Sequence, residues 1–209
     1  MKYLFVFIMM RLFMFLFKQK EIGITENSVL IIAHPDDESM FYTPFLNDNK
    51  PLIICLSGIN TDRHLELESL CNEKGLKYKI MDFKDGDDWD VNKITLKILK
   101  TIKYSINRTK LSLITFDSRG VSGHKNHISC HKAVKKIQKT FSPDIKCFYL
   151  KTVGIFEKYF LYLTLPTHSN INIFNGFANM KHHKTQMVWF RYLWILFSNY
   201  MVYNTFSPQ

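Results

Sequence analysis

An imidazole and two acids fall within four positions in Ala33-His34-Pro35-Asp36-Asp37-Glu38-Ser39-Met40. Consecutive Asp side chains diverge, so one of Asp36 and Asp37 can bind a metal while the other addresses a water. Pro35 fixes the local backbone and biases His34 toward an extended conformation. A second cluster reads Gly123-His124-Lys125-Asn126-His127, with His131 four residues further on. On a helix starting near Asn126, His127 and His131 share a face, while His124 belongs to the glycine-flanked loop before it. Two imidazoles and one carboxylate with an open position suit a catalytic zinc or ferrous ion better than a closed structural site. Such a centre brings the pKa of bound water near neutrality and polarises a carbonyl oxygen. A nearby Asp then takes the water's proton, and a spare His stabilises or protonates the tetrahedral intermediate. This is equipment for hydrolysing an amide or an ester.

Each cluster follows a short apolar run, and those runs must position it. Strands are predicted at Val29–Ala33, Pro51–Leu56, Lys77–Met81, Leu111–Phe116 and Ile145–Tyr149. Helices are predicted at Ser39–Leu46, Asp62–Lys74, Asn92–Ile106 and Asn126–Thr140. The third carries Ile94, Ile98, Ile102 and Ile106 as one apolar stripe. Gly58, Gly75, Gly86 and the turn Ser142-Pro143-Asp144 punctuate the elements. Alternation of this kind implies an α/β fold: a Rossmann-like, open, mostly parallel sheet with helices on both faces. With strand order 3-2-1-4-5, the first and fourth strands are neighbours where the winding reverses, and ligands bind beyond their carboxyl ends. His34 follows strand one; His124 and His127 follow strand four. Fold and site point to each other.

The 209 residues suit one domain, placed here at residues 28–203. A 46% hydrophobic share argues against disorder, and the formal charge of +10 favours anionic partners. No nucleic-acid motif accompanies that charge, so nucleic acid is not an expected partner. Cys55, Cys71, Cys130 and Cys147 contain no C-x-x-C pair and read as buried thiols in a reducing compartment. Residues 1–17 are apolar except for Lys2 and Arg11, and a helix that long reaches roughly 25 Å. Residues 1–20 are therefore expected to form a membrane anchor, spanning or lying in the interface. Lys18 and Lys20 favour a main domain facing the cytosol. Near the other end, Val188 to Phe197 is apolar around its circumference, as a buried or lipid-touching helix would be. His182 and His183 are possible further ligands, but are expected as a solvated pair on a helix face.

Ala33-His34-Pro35-Asp36-Asp37-Glu38, with Thr115-Phe116-Asp117-Ser118-Arg119-Gly120-Val121-Ser122-Gly123-His124-Lys125-Asn126-His127, resembles the PIG-L/LmbE family of metal-dependent de-N-acetylases. The stretch His183-Lys184-Thr185-Gln186-Met187-Val188-Trp189-Phe190-Arg191 is similar to the C-terminal signature of its eukaryotic branch, which acts on N-acetylglucosaminyl-phosphatidylinositol. The resemblance implies that His34, Asp37 and His127 bind a metal, zinc before Fe2+ or another divalent cation. It implies Asp36 as general base and His124 as oxyanion stabiliser or acid. Arg63 and Glu66 match an Arg-x-x-Glu of the family and become candidate substrate residues; an exposed helix ion pair is the alternative. Asp117 could position His124 or satisfy its own loop, and Glu38 could support the ligands or begin a helix. The implied substrate is a membrane glycolipid, and the implied location is the endoplasmic reticulum membrane. The stretches Ser57–Arg63 and Asp82–Asp90 are trimmed relative to the family. Rival readings are a de-N-acetylase of a soluble N-acetylglucosamine conjugate and a catalytically silent phospholipid-binding subunit.

Overall fold

The computed structural model describes residues 22–105, 110–141, 145–160, 166–169 and 173–208. Residues 1–20, with the expected anchor, lie outside the described residues, as do Ile106 and the turn at 142–144. Five parallel strands form the sheet: β1 (Ser28–Ile32), β2 (Leu52–Ser57), β3 (Tyr78–Phe83), β4 (Leu111–Phe116) and β5 (Ile145–Leu150). Their order is β3-β2-β1-β4-β5, the order under which the first and fourth strands become neighbours. The short strands β6 (His168–Ser169) and β7 (Tyr203–Asn204) pair antiparallel with each other. A sixth strand of the main sheet, β8 (Phe206–Pro208), lies antiparallel against β5, so the domain continues past residue 203. β1 and β4 are buried along their whole length, which explains their unbroken apolar runs.

The predicted helix over 39–46 is two helices, and it starts earlier. α1 spans Asp37–Phe41 and α2 spans Thr43–Asp48, with Tyr42 non-helical at φ −122° and ψ 12°. Pro44 accounts for the break: it has no N–H to donate and restricts Thr43 before it. α3 (Asp62–Lys74) ends on Gly75 at φ 63°, a left-handed C-cap. α4 (Val91–Ser105) buries Ile94, Ile98 and Ile102, three members of the expected stripe. It packs on α5 (Lys125–Phe141), which lies over β4 and β5. Cys130 and the other three thiols are buried and free.

Beyond β5 come α6 (Ile155–Tyr159), α7 (Ile173–Met180) and α8 (Trp189–Phe197), with a 3-10 turn at Lys184–Gln186 between the last two. These elements pack near α1 and α2, closing one wall around the carboxyl ends of β1 and β4. Among the described residues, no helix is long and apolar enough to cross a membrane.

Candidate active site

The first corner is built by its own carboxylates. Asp37 Oδ2 accepts from the backbone N–H groups of Ala33 at 3.1 Å and His34 at 2.9 Å. Asp36 precedes α1 in the left-handed region, at φ 109°. Its N–H donates to Glu38 Oε2 at 3.1 Å, and its carbonyl accepts from the N–H groups of Ser39 and Met40. This geometry, costly for a residue with a Cβ, turns the two Asp side chains apart.

The second corner turns on Gly120. It adopts φ 61°, and a Cβ there would come within 3.0 Å of the His127 Cβ. His127 lies in the first turn of α5, stacks on Phe116 with centroids 4.0 Å apart, and bonds through Nδ1 to the Gly120 carbonyl at 3.0 Å. A carbonyl only accepts, so Nδ1 carries the proton and Nε2 keeps a lone pair. That Nε2 sits 3.2 Å from Asp37 Oδ1.

The corners meet. The rings of His34 and His127 are 5.5 Å apart, and a ring nitrogen from each of His34, His124 and His127 lies within 4.8 Å of the others. His34 Nε2 faces Asp85 Oδ1 at 2.8 Å, leaving Nδ1 toward Asp37 Oδ2 at 3.6 Å. His124 differs: its Nδ1 accepts from the Asn126 N–H at 3.2 Å, which places the proton of the neutral ring on Nε2. Two imidazole lone pairs and a carboxylate therefore converge, beside a third imidazole poised to donate. The cluster of His34, His124 and His127, with Asp37 Oδ1 beside it, is a donor set that fits a divalent cation. His131 turns away, with Nδ1 at 3.2 Å from the Phe116 carbonyl.

The charged groups of the site are coupled through Asp37. Burial disfavours the Asp37 carboxylate, yet His127 and His34 overcome it and hold the group well below the usual range. Burial also opposes charge on His127, and Asp37 reverses it, raising its pKa. Burial, reinforced by Asp37, lifts Asp36 to about 7 against the pull of Arg63 and Arg191. Burial, His127 and His34 lower His124, keeping it neutral.

Asp36 is gripped from two sides. Arg63 Nη2 reaches Asp36 Oδ1 at 3.2 Å and the Pro35 carbonyl at 2.6 Å, while Nη1 reaches Asp85 Oδ2 at 3.2 Å. Arg191 Nη2 reaches Asp36 Oδ2 at 3.0 Å, and its Nη1 approaches the Met40 sulfur. Arg63, Asp36, Asp37 and the three histidines line a cavity of about 1350 Å³, with α6 and α8 as its apolar wall. Glu66, expected beside Arg63 at the substrate, does not line it: both oxygens accept from Thr185, at 2.6 Å from N–H and 2.9 Å from hydroxyl. Asp117 does not position His124 either; it accepts from the Arg119 N–H at 3.0 Å and the Thr152 N–H at 2.7 Å. His183 is no solvated residue. It is fully buried, 2.6 Å from the equally buried Glu38, which also accepts from Ser39 Oγ. Asp85, Asn126 and Arg191 were not marked as site residues by sequence reasoning. Arg191 and His183 both fall in the C-terminal signature, the only signal that could have found them.

Residues 29–138 match the family PIG-L, described as GlcNAc-PI de-N-acetylase. The chain belongs to this family. A relative in Schizosaccharomyces pombe, named probable N-acetylglucosaminyl-phosphatidylinositol de-N-acetylase, is 35% identical, covering 86% of this chain and 85% of its own. The Saccharomyces cerevisiae N-acetylglucosaminyl-phosphatidylinositol de-N-acetylase is 32% identical over 85% of this chain and 80% of its own. Among solved structures, N,N'-diacetylchitobiose deacetylase from Pyrococcus horikoshii shares the fold at a TM-score of 0.62 and 12% identity, covering 88% of this chain and 84% of its own. A 4-carboxy-2-hydroxymuconate hydratase from Pseudomonas putida also shares it, at a TM-score of 0.57 and 12% identity, covering 87% and 95%. One PIG-L-like fold thus carries different reactions, and the reaction must be argued from the site.

Proposed function

We propose that the protein hydrolyses the acetamide of N-acetylglucosaminyl-phosphatidylinositol, releasing acetate and a free glucosamine amine, in glycosylphosphatidylinositol-anchor biosynthesis. One observation carries this reading: His34 and Asp37 after β1 converge with His127 after β4, with Asp36 and His124 on either side. A divalent cation, zinc by its ligand types, would be held by His34, Asp37 and His127 and would supply Lewis acidity and an acidified water. Asp36 accepts a proton from the attacking water. With its pKa near 7, it can hand that proton to the departing amine. His124 donates its Nε2 proton as a hydrogen bond to the developing oxyanion. Arg63 and Arg191 hold the Asp36 carboxylate in place, and Arg63 also faces substrate.

The names of the relatives and the apolar cavity wall support a lipid-linked sugar as substrate. Residues 1–20 anchor the chain in the endoplasmic reticulum membrane with the domain toward the cytosol; the apolar run and Lys18 and Lys20 support this. Protease accessibility of the domain in sealed microsomes tests that orientation, and full protection overturns it. The activity is tested by acetate release from N-acetylglucosaminyl-phosphatidylinositol by the purified full chain with zinc supplied. Release that disappears in His34→Ala supports the reading, whereas no release from the zinc-loaded wild type overturns it.

A further inference from the structure

One wall of the cavity carries large apolar side chains that are also exposed to solvent. α6 contributes Ile155, Phe156 and the adjoining Phe160, and α8 contributes Trp189, Phe190 and Leu193. All six are exposed, Ile155 at 78% and Trp189 at 74%. The two helices touch: the rings of Tyr159 and Trp194 are 6.2 Å apart, and Lys158 lies over the Trp194 ring at 5.8 Å. Large apolar side chains left contiguous in water mark an interaction surface.

We infer that this rim is a membrane-docking surface that embeds in the interface of an anionic phospholipid bilayer, setting the cavity mouth on the lipid. Charge picks the occupant. From Lys151 to the end the chain has five Lys and Arg and a single acid, Glu157. Lys158 belongs to one of the very helices that form the rim. Cations bordering an apolar surface are drawn to anionic headgroups, and Trp and Tyr suit the headgroup boundary. The rim residues line the same cavity as Asp36, so an acyl-anchored substrate can bring its sugar to Asp36 with its tails still in the bilayer. This route rests on the lipid substrate proposed above, but the docking does not require it.

Tryptophan supplies a local probe. The three tryptophans are Trp89, Trp189 and Trp194, and residues 1–20 have none, so the expected anchor is silent in emission. The full-length protein is mixed with phosphatidylcholine–phosphatidylserine vesicles whose acyl chains are brominated. Emission is expected to be quenched, Trp189→Phe should remove most of that quenching, and Ile155→Asp should reduce it from the neighbouring helix. Protein that co-sediments with the vesicles yet shows unquenched emission overturns the inference, because the N-terminal segment then holds the chain alone. Quenching unchanged in both Trp189→Phe and Ile155→Asp overturns it too. Acetate release is not the readout, so the docking surface and the deacetylase reading fail separately.

Discussion

Asp36 stands at φ 109° with one guanidinium on each carboxylate oxygen, a costly arrangement that stacked constraints hold in place. A base so positioned contributes through its proton, not its shape. Asp36→Asn keeps the size but turns one accepting oxygen into an NH2 that cannot accept from its Arg, and should lower acetate release by roughly 10²–10⁴-fold with metal content unchanged. Activity within a few fold of wild type would remove Asp36 from the mechanism. Asp85 works one step further out, fixing the His34 proton on Nε2. Asp85→Ala should weaken metal affinity by roughly 10–100-fold, read by competition against a chromogenic chelator; unchanged affinity would show that His34 needs no such partner. The first-corner residues were legible because they are adjacent in the chain and chemically distinctive. Asp85 was not, since it is one of five aspartates between residues 82 and 90, and only folding selects which one meets His34.

At the scale of elements, Glu38 and His183 tie α1 to the segment before α8, and neither is exposed to solvent. Sequence made His183 a surface residue because its neighbours are polar; the pairing, 145 positions apart, is a tertiary fact. Burial opposes charge on both groups, but each overcomes it for the other: Glu38 is lowered from 4.5 and His183 raised from 6.5. A raised histidine gives stability that is complete below its unfolded pKa and lost as pH climbs through the folded one. A lowered carboxylate gives stability present above its unfolded pKa and lost as pH drops through the folded one. His183→Ala leaves a buried carboxylate unpaired and should cost about 3–5 kcal/mol near pH 6. In urea melts, the stability gap between wild type and variant should narrow as pH rises above the neutral range. A gap constant from pH 6 to 9 would mean the pair is not ionised. The same scale explains the broken first helix, where Pro44 could have been weighed from sequence against an apolar pattern that seemed continuous.

For the whole molecule, the site is a clasp between β1 and β4, adjacent strands whose sequences lie some eighty residues apart. That adjacency was legible because alternating runs and a right-handed crossover leave few strand orders. The apolar run Val188 to Phe197 was legible as a helix and forms α8, whereas the antiparallel β8 and the short α6 were not, since such brief segments carry no clear period. A cation held across the clasp binds only the folded chain, so it must stabilise the whole domain. At a hundred times its Kd it adds about 2.7 kcal/mol. For a domain of this size each kcal/mol moves Tm by roughly 2–4 °C, so chelation should lower Tm by roughly 5–10 °C. Zinc should restore both Tm and acetate release, and the shift should vanish in His127→Ala, which has already lost a ligand from one side of the clasp. If chelator leaves the wild-type Tm unmoved while acetate release stops, the cation is not the tie between the strands. If both persist, Asp37 and His127 form an ion pair in the working enzyme and no metal joins the two corners.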